Sequence, residues 1–577
     1  MSNGLNQIRN FLSEADVDAV ILRHGDEYFS EEVPPHYRVF SWLTGLDVSY
    51  GHIIVSQQVA ALFVDGRYIL AAQELLDDSI WTVYNIRKNS PFAWIATNLI
   101  GKTALDPKLH SISEVENLIR SAGGEKKITL INDLVDRFWK DRPSPETSRI
   151  YEHSLEYAGE SSKSKLSRIS ERLNQQHCEA ILISDPCDVA WVMNVRGRDL
   201  KHTPVAFARM IVFKDGSYKI YTDASSSDLK TYPSAQILAD LNIFKGKILI
   251  DPSNTPYSIK AQLNLAEAAY KPCIIQSFKS IKSANELDGA RKANILDGAA
   301  ITSLLFWLHQ KMADNADVFE KDVSDKIAEL RAKSDLYVSD SFSCIAAFGK
   351  NAANVHYKIT GRGEKLSRAG LFLLDTGGQY RCGTTDMTRT MCFNWPAVEE
   401  QDAYTRVLKG HIALASAVFP VGTTGYQIDC LARQYLWQVG LDYDHGTGHG
   451  IGSFLGVHEG PQNFSRKPSS DNALQADTLI TIEPGYYLKD RFGIRIENTN
   501  QIVKLTTQED GGEFLTFAAL TAAPMDFKLI MPPLLNEHEK VWLKSYHEWV
   551  LRMLTPLLDD DVKSWLIEQT NPYFNVL

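Results

Sequence analysis

The sequence has no stretch of 18 or more apolar residues, so it contains no candidate membrane span. Its N-terminus, Met1-Ser2-Asn3-Gly4, lacks a basic segment followed by a long apolar run, and we therefore predict no signal peptide. Cysteine is scarce, because the seven cysteines are scattered and form no Cys-x-x-Cys pair. In a chain of 577 residues this pattern is typical of reduced thiols in the cytoplasm, not of a disulfide framework or a zinc knuckle.

Basic residues are outnumbered by acidic ones. Lys and Arg total 60 against 71 Asp and Glu, which gives a formal net charge of −11. Because binding to nucleic acid needs a basic stripe that neutralises phosphates, we do not expect nucleic acid to be the main partner. The length is too great for one hydrophobic core and indicates three or four domains.

A diverged repeat opens the sequence, in which apolar positions at helical spacing precede a short apolar strand. The repeated positions are Leu5, Ile8 and Leu12 with Ala19-Val20-Ile21-Leu22, and Leu166, Ile169 and Leu173 with Ala180-Ile181-Leu182-Ile183. The i, i+3, i+7 spacing predicts an amphipathic helix that leads into a buried strand in each copy. We therefore predict two related α/β domains, at residues 1–155 and 156–282.

A third domain is predicted for residues 283–577. Ser283 and Glu286 fit a capping box at the start of a helix, and a long helical pattern runs from Leu287 to Met312. From about residue 340 to 530 the sequence consists of short strand-like runs separated by glycine-rich loops. The last forty or so residues predict helices that pack back onto this domain. The fold class is therefore α/β (α+β).

Two predicted hairpins carry paired carboxylates. Asp375 and Asp386 lie at equal distances from a predicted turn, so cross-strand pairing places both carboxylates on one face. Glu483 and Glu497 likewise flank Asp490, at seven residues on each side. Between the hairpins lies His445-Gly-Thr-Gly-His449-Gly450, a histidine pair in glycine-rich backbone that can approach a ligand closely.

Any one of these pieces is more often structural than functional: a single strand-end carboxylate is usually a turn acceptor or a surface charge. Together they are difficult to explain as stability, because burying four acids without a cation would cost many kcal/mol. Oxygen ligands with one imidazole suit manganese, zinc, cobalt or iron. The set is large enough for two ions that would hold a bridging hydroxide at neutral pH.

At these residues the chain resembles the pita-bread metallopeptidases, and within them the three-domain cytosolic form of aminopeptidase P. The resemblance covers the whole length and is strongest at 375–390, 445–461 and 483–498. It implies two related N-terminal α/β domains followed by a C-terminal pita-bread catalytic domain. It also implies a homodimer and two divalent metal ions, with Mn2+ as the usual metal and Zn2+ or Co2+ as alternatives.

The resemblance also implies a role for each site residue. The metal ligands would be Asp375, Asp386, His449, Glu483 and Glu497. Asp386 and Glu497 would bridge the ions, Asp375 would chelate one of them, and His449 and Glu483 would complete the second site. Glu483 would also shuttle the proton.

The remaining implied residues contact the substrate or the ligands. His356 would contact the substrate or the leaving proline nitrogen, His458 would stabilise the tetrahedral oxyanion, and His445 would line the proline pocket. Tyr487 and Arg495 would orient the metal-bound carboxylates. Arg67 in the first domain would reach a bound peptide.

The implied activity is hydrolysis of the N-terminal Xaa-Pro bond of peptides. Proline lacks the amide proton and has a fixed φ, so general peptidases that need this N–H fail at such bonds. The alternatives are prolidase, which shares the five ligands but usually has one N-terminal domain, and a non-catalytic pita-bread module that binds peptides. Creatinase lacks the full ligand set and is disfavoured.

The chain departs from the family pattern at two places. Cys382 replaces a common aspartate just before Gly383-Thr-Thr-Asp386, but this position is not a ligand and we expect little effect. The first-domain segment 44–51 follows the family's glycine-rich pattern only in part. How the first domain meets the site, and hence the preference at distal substrate positions, is therefore left open.

Overall fold

The computed structural model describes residues 2–99, 101–468, 472–505 and 512–570. By its internal contacts the chain divides into two compact units. The N-terminal unit comprises Met1–Leu155 and Glu160–Ile275, and the C-terminal unit comprises Glu156–Gly159 and Gln276–Leu577. Within the described ranges, no helix is both long and apolar enough to cross a membrane.

Short helices and strands alternate along the chain up to residue 282. The described strands are β1 (Ala19–Arg23), β2 (Gly51–Ser56), β3 (Ala60–Val64), β4 (Trp81–Asn85), β5 (Thr103–Leu105), β6 (Ile128–Leu130), β7 (Tyr151–Glu152), β8 (Ala180–Ile183), β9 (Val195–Arg196), β10 (Arg209–Phe213), β11 (Tyr218–Tyr221), β12 (Thr231–Tyr232), β13 (Gly246–Ile250) and β14 (Ala266–Tyr270). The described helices are α1 (Ser2–Ala15), α2 (Val39–Thr44), α3 (Ile69–Leu75), α4 (Pro91–Asn98), α5 (Ile112–Ala122), α6 (Leu134–Phe138), α7 (Leu155–Ala158), α8 (Ser162–Gln175), α9 (Pro186–Met193), α10 (Gln236–Ile243), α11 (Tyr257–Lys260) and α12 (Ile274–Ser280).

The described strands of the N-terminal unit include two six-stranded sheets with equivalent strand orders, β4-β3-β2-β1-β5-β6 and β12-β11-β10-β8-β13-β14. In each sheet the repeated strand, β1 or β8, pairs antiparallel with one neighbour and parallel with the other. The shared order confirms the prediction of two related α/β folds. The boundaries at residues 155 and 282 stay predictions.

Helices α1 and α8 bury the apolar positions of the repeat. In the first copy Leu5, Ile8 and Leu12 are buried and pack in one cluster with Val20 and Val55. The equivalent side chains of the second copy are also buried: Leu166, Ile169 and Leu173. The spacing places these three side chains on one face of each helix, so the helix covers its sheet with that face.

The chain from residue 283 onward forms longer helices and a second set of sheets. The described helices are α13 (Ala284–Ala313), α14 (Glu320–Arg331), α15 (Val398–Ala415), α16 (Gly425–Ile428), α17 (Cys430–Trp437), α18 (Glu537–Leu554) and α19 (Asp560–Thr570). The described strands are β15 (Tyr337–Asp340), β16 (Ile345–Phe348), β17 (Leu371–Thr376), β18 (Gly378–Tyr380), β19 (Gly383–Thr384), β20 (Met387–Cys392), β21 (Phe419–Pro420), β22 (Gly448–Gly450), β23 (Glu459–Phe464), β24 (Leu479–Ile482), β25 (Gly485–Leu488), β26 (Phe492–Arg495), β27 (Asn498–Leu505) and β28 (Phe514–Ala519).

Helix α13 begins where the sequence predicts. Ser283 Oγ accepts a hydrogen bond from the Glu286 amide, and the Glu286 carboxylate accepts one from the Ser283 amide. This reciprocal pair satisfies two amide groups that have no partner within the helix. The helix then buries apolar residues along its length, among them Ile301, Leu304 and Leu308.

The strands of the C-terminal unit form several sheets, and the helices of the unit pack against them. In the described ranges the strand orders are β21-β28-β27-β24-β22-β23, β16-β17-β20, β15-β18-β19 and β25-β26. One core cluster joins Leu371 of β17 and Ile494 of β26 to Leu408 of α15 and Leu543 of α18. The predicted C-terminal helices therefore pack onto this unit, as the apolar pattern of the last residues indicates.

The first carboxylate hairpin has a register that differs from the predicted one. Asp375 of β17 pairs with Thr388 of β20, so the turn is centred between Arg381 and Cys382. The direct pairing of Asp375 with Asp386 is therefore wrong by two residues. Because side chains alternate with a period of two, this shift keeps both aspartates on the same face.

The second carboxylate hairpin has the predicted register. Gly485 pairs with Arg495, and further out Ile482 pairs with Asn498. Glu483 and Glu497 lie between these two pairs and are therefore opposite each other.

Candidate metal centre and active site

The two carboxylate hairpins and strand β22 bring an aspartate, a histidine and a glutamate together. Asp386 precedes β20, His449 lies in β22, and Glu497 lies between β26 and β27. Each of the three offers a ligand atom, and these atoms lie within 4.8 Å of one another. An antiparallel bridge between Thr388 and Glu497 joins the two hairpins directly, with the Glu497 amide donating to the Thr388 carbonyl over 3.1 Å.

His449 directs one ring nitrogen toward the acidic residues. Its Nδ1 lies 3.0 Å from the Gly450 carbonyl oxygen, which can only accept, so Nδ1 carries the proton. Nε2 is then an acceptor, and it lies 3.4 Å from Asp386 Oδ2 and 3.7 Å from Glu483 Oε1. Histidine ligands commonly have this arrangement, in which one ring nitrogen is fixed by a carbonyl and the other faces the metal.

Asp375 is anchored on one side only. Its Oδ2 accepts a hydrogen bond from Arg495 Nη2, whereas Oδ1 is buried and has no hydrogen-bond partner among the described residues. Burying an unsatisfied carboxylate oxygen is costly. A cation bound by Oδ1 would remove that cost.

The burial of the other three carboxylates raises their pKa values. The pKa of Asp386 is well above its usual range because of burial and the nearby charge of Asp375. Burial and the charges of Asp386 and Glu483 raise the pKa of Glu497 in the same way. The pKa of Glu483 is also raised by burial, against the opposing effects of His449 and Arg495.

The residues present fit divalent metal ions. Four carboxylates and one imidazole form an oxygen-rich set, which suits manganese, zinc, cobalt or iron. Asp375 Oδ1 is buried without a hydrogen-bond partner among the described residues, and the clustered acids have raised pKa values. Both features fit residues that bind cations.

His445, Tyr487 and Arg495 form a chain of hydrogen bonds beside these carboxylates. Arg495 Nη1 donates to Tyr487 Oη over 2.6 Å, and Tyr487 Oη lies 3.0 Å from His445 Nε2. His445 Nδ1 lies 2.7 Å from the Gly446 carbonyl, so Nδ1 donates and Nε2 accepts from the tyrosine. The chain links Asp375, through Arg495, to His445.

His458 lies beside His449. The two rings are 4.2 Å apart between centroids and nearly perpendicular. The next residue, Glu459, is buried and pairs with Lys282. The segment that carries His458 is thus held by a buried ion pair next to a candidate ligand.

His356 lies in a half-buried turn after the 3-10 helix Gly349–Ala353. The carbonyl of the preceding Val355 accepts a hydrogen bond from Arg495 Nη2 over 3.5 Å. The backbone beside His356 is therefore tied to the same guanidinium that holds Asp375.

Arg67 lies in the N-terminal unit. Its guanidinium pairs with Asp65 over 2.7 Å and donates to Ser49 Oγ over 3.2 Å. Ser49 belongs to the segment 44–51 that departs from the family pattern, so this segment orients Arg67. The role of Arg67 as a peptide contact stays a prediction.

Thr388 is a site residue that the sequence reasoning missed. Its hydroxyl donates to Glu497 Oε2 over 2.8 Å and accepts from Arg495 Nε over 3.1 Å. The signal was present, because Thr388 follows Asp386 by two residues and therefore shares its face of the strand.

Family profiles match most of the chain. The profile of Metallopeptidase family M24 matches residues 288–504, and that of the C-terminal region of peptidase_M24 matches 513–573. The Creatinase/Prolidase N-terminal domain profile matches residues 141–286.

Two relatives and one solved structure match at nearly full length. "Aminopeptidase P2" of Arabidopsis thaliana is 36% identical, over 98% of this chain and 88% of its own. "Probable Xaa-Pro aminopeptidase P" of Laccaria bicolor is 34% identical, over 98% of this chain and 93% of its own. The crystal structure of X-prolyl aminopeptidase from Caenorhabditis elegans, described as a cytosolic enzyme with a di-nuclear active site, superposes with a TM-score of 0.93. It is 30% identical, and the match covers 98% of both chains.

Proposed function

Because this chain belongs to metallopeptidase family M24, in its aminopeptidase P branch, we propose that it is a metal-dependent aminopeptidase that hydrolyses the N-terminal Xaa-Pro bond of peptides. The observation that carries the proposal is the convergence of Asp386, His449 and Glu497 within 4.8 Å. Glu483 and Asp375 flank this cluster. These five residues are the proposed ligand set, which a non-catalytic relative would have lost in part.

Two divalent metal ions are proposed as the cofactor, with manganese as the metal and zinc or cobalt as alternatives. Asp375 would hold one ion, His449 and Glu483 the other, and Asp386 and Glu497 would be shared between them. Arg495 and Thr388 fix the orientation of two of these carboxylates through the hydrogen bonds described above. When bound, the ions supply a water of lowered pKa as the nucleophile and an anchor for the free amine of the peptide.

Glu483 is the proposed proton shuttle. Burial raises the pKa of its carboxyl group, which favours uptake of a proton from the nucleophile. It would accept the proton from the nucleophilic water and deliver it to the proline nitrogen as the bond breaks.

The histidines are proposed to bind and orient the peptide. His458 would donate a hydrogen bond to the oxyanion that develops on the scissile carbonyl. His356 would contact the substrate or the leaving proline nitrogen.

His445, held by Tyr487, would line the pocket for the proline ring. Proline cannot present an amide N–H, so recognition of its ring replaces the hydrogen bond that general peptidases use.

Arg67 of the N-terminal unit is proposed to reach a bound peptide. We propose a homodimer located in the cytoplasm, consistent with the worm enzyme described as cytosolic.

The proposal is tested with two tripeptides that differ only at the second residue. With manganese supplied, Arg-Pro-Pro should release arginine, whereas Arg-Ala-Pro should remain intact. Equal hydrolysis of both peptides would contradict the proposed recognition of proline.

A further inference from the structure

A buried ion pair lies against the hairpin that carries Asp375 and Asp386. Arg331 at the end of α14 contacts Asp297 of α13, with Nε 2.6 Å from Oδ1 and Nη2 3.3 Å from Oδ2. Arg331 is 1% exposed and Asp297 2% exposed. Both charges are thus removed from water in the interior of the C-terminal unit.

Asp297 also accepts hydrogen bonds from the hairpin. Tyr380 Oη donates to its Oδ1 over 3.0 Å, and Thr385 Oγ1 donates to its Oδ2 over 2.7 Å. Thr385 Oγ1 in turn accepts from the Gly378 amide over 2.8 Å. The orientation of the Thr385 hydroxyl is therefore fixed on both its donor and acceptor sides.

Arg331 contacts the first strand of the same hairpin, next to Asp375. Its Nη1 donates to Thr376 Oγ1 over 2.8 Å and to Asp340 Oδ1 over 3.0 Å. Thr376 is completely buried, so this contact is shielded from competing water.

The two threonines are the chain neighbours of the two aspartates. Thr376 directly follows Asp375, and Thr385 directly precedes Asp386. We propose that the Asp297–Arg331 ion pair is a positioning device that sets the spacing of Asp375 and Asp386, and through it the affinity for metal. The inference rests on the proposed function, since it takes these aspartates to be metal ligands.

Stability alone is a weak explanation for this ion pair. A buried ion pair often stabilises a fold no better than apolar side chains of the same volume. Asp297 and Arg331 each contact a residue beside one of the two aspartates, and both come from helices that lie outside the hairpin. Partners beyond the ligands commonly change metal affinity by about 10- to 100-fold when they are removed.

The test compares three variants with the wild-type protein. Thr385→Val removes the hydroxyl that Asp297 holds, Thr385→Ser keeps a hydroxyl, and Asp297→Asn removes the charge. The control is Lys409→Met, which breaks a partly buried ion pair, with Glu539 at 2.6 Å, that joins α15 to α18. Isothermal titration calorimetry of Mn2+ into the metal-stripped proteins measures affinity, and thermal melting of the same samples measures stability.

We expect Thr385→Val and Asp297→Asn to bind Mn2+ at least about 10-fold more weakly than wild type. Thr385→Ser should restore the affinity, and Lys409→Met should lose stability with unchanged affinity.

Wild-type affinity in Thr385→Val would overturn the inference, even where Asp297→Asn fails to fold. A wild-type protein that binds no Mn2+, Zn2+ or Co2+ would overturn the proposed metal centre itself, and the inference with it.

Discussion

His449 Nε2 lies 3.4 Å from Asp386 Oδ2, although β22, which holds His449, and β20, which follows Asp386, belong to different sheets. Asp386 directly precedes β20 of the first hairpin, and His449 lies in β22 of the six-stranded sheet of the C-terminal unit. A proton on Nδ1, held by the Gly450 carbonyl, leaves Nε2 as an acceptor that faces a carboxylate. Two acceptors so close repel each other unless a proton or a metal cation lies between them, and the proposed metal centre places a metal cation there.

Replacing Glu483 should abolish turnover. In Glu483→Ala the carboxylate that holds the proton is lost, together with one proposed ligand, so hydrolysis of Arg-Pro-Pro should fall below detection. Glu399→Ala is the matched control, because Glu399 pairs with Arg491 on the surface and both side chains are about half exposed. The circular dichroism spectra of both variants should match that of wild type. Undiminished activity in Glu483→Ala would reject the assignment.

His458→Ala should lower kcat more than it changes substrate binding. Loss of one oxyanion donor typically costs about 2–4 kcal/mol in the transition state. Steady-state kinetics with Arg-Pro-Pro at saturating manganese separates kcat from KM. His538→Ala, at an exposed position of α18, serves as the control. An effect confined to KM would contradict the role of His458 in oxyanion stabilisation.

Removing metal should destabilise the folded protein. Without cations the clustered carboxylates stay buried at raised pKa values, whereas ions that bind only the folded state stabilise it. Manganese at 100 times its Kd should add about 2.7 kcal/mol, seen as a rise in Tm after dialysis against chelator. Asp386→Asn should show a much smaller rise. If the Tm of the wild-type protein is the same with and without manganese, the metal centre is wrong.

Acid should destabilise the metal-free protein through buried histidines. Burial lowers the pKa of His547 to about 3, and its Nε2 accepts a hydrogen bond from the Met525 amide. Below about pH 6.5 the unfolded chain binds a proton at His547, whereas the folded chain keeps this imidazole neutral. Stability therefore falls as the pH drops from about 6.5 toward 3. One such group costs about 2 kcal/mol between pH 7.5 and pH 5.

His547→Gln should therefore lose less stability on acidification than wild type does. Urea unfolding of the metal-free proteins at pH 7.5 and pH 5 measures how much unfolding free energy is lost on acidification. This loss should be smaller in His547→Gln than in wild type by about 2 kcal/mol. His538→Gln is the control on the same helix, because His538 is exposed, and its pH dependence should match that of wild type. An equal loss of stability in wild type and His547→Gln would show that His547 can be protonated in the folded state.

Much of the architecture could be predicted because it depends on local patterns. The capping box at Ser283 and the apolar spacing behind it are local signals, and α13 begins and ends close to the expected residues. The helix–strand repeat likewise predicted two related α/β folds, and the structure has two sheets with equivalent strand orders. The hairpin of Glu483 and Glu497 was predictable because its turn lies midway between the two residues.

The register of the first hairpin could not be read from the sequence. The turn at Arg381 and Cys382 packs against α13, where a side chain at Gly289 would meet the Cys382 carbonyl oxygen. This tertiary contact is not visible in the spacing of the two aspartates. The prediction was therefore wrong about the pairing but right about the face, because the shift is an even number of residues.

The supporting residues were harder to predict than the candidate ligands. Thr388 could have been found from the alternation along β20, since it shares a face with Asp386. Asp297 and Arg331 carry no such signal: they meet the hairpin only because α13 and α14 pack beside it. Buried polar contacts between distant segments depend on the final packing, which no local pattern encodes.

The most direct test of the central claim compares Arg-Pro-Pro with the dipeptide Arg-Pro, using metal-stripped protein resupplied with manganese. We expect release of arginine from the tripeptide and little or none from the dipeptide. Cleavage of the dipeptide alone would contradict this account and identify a prolidase, and turnover of neither peptide would leave a peptide-binding module.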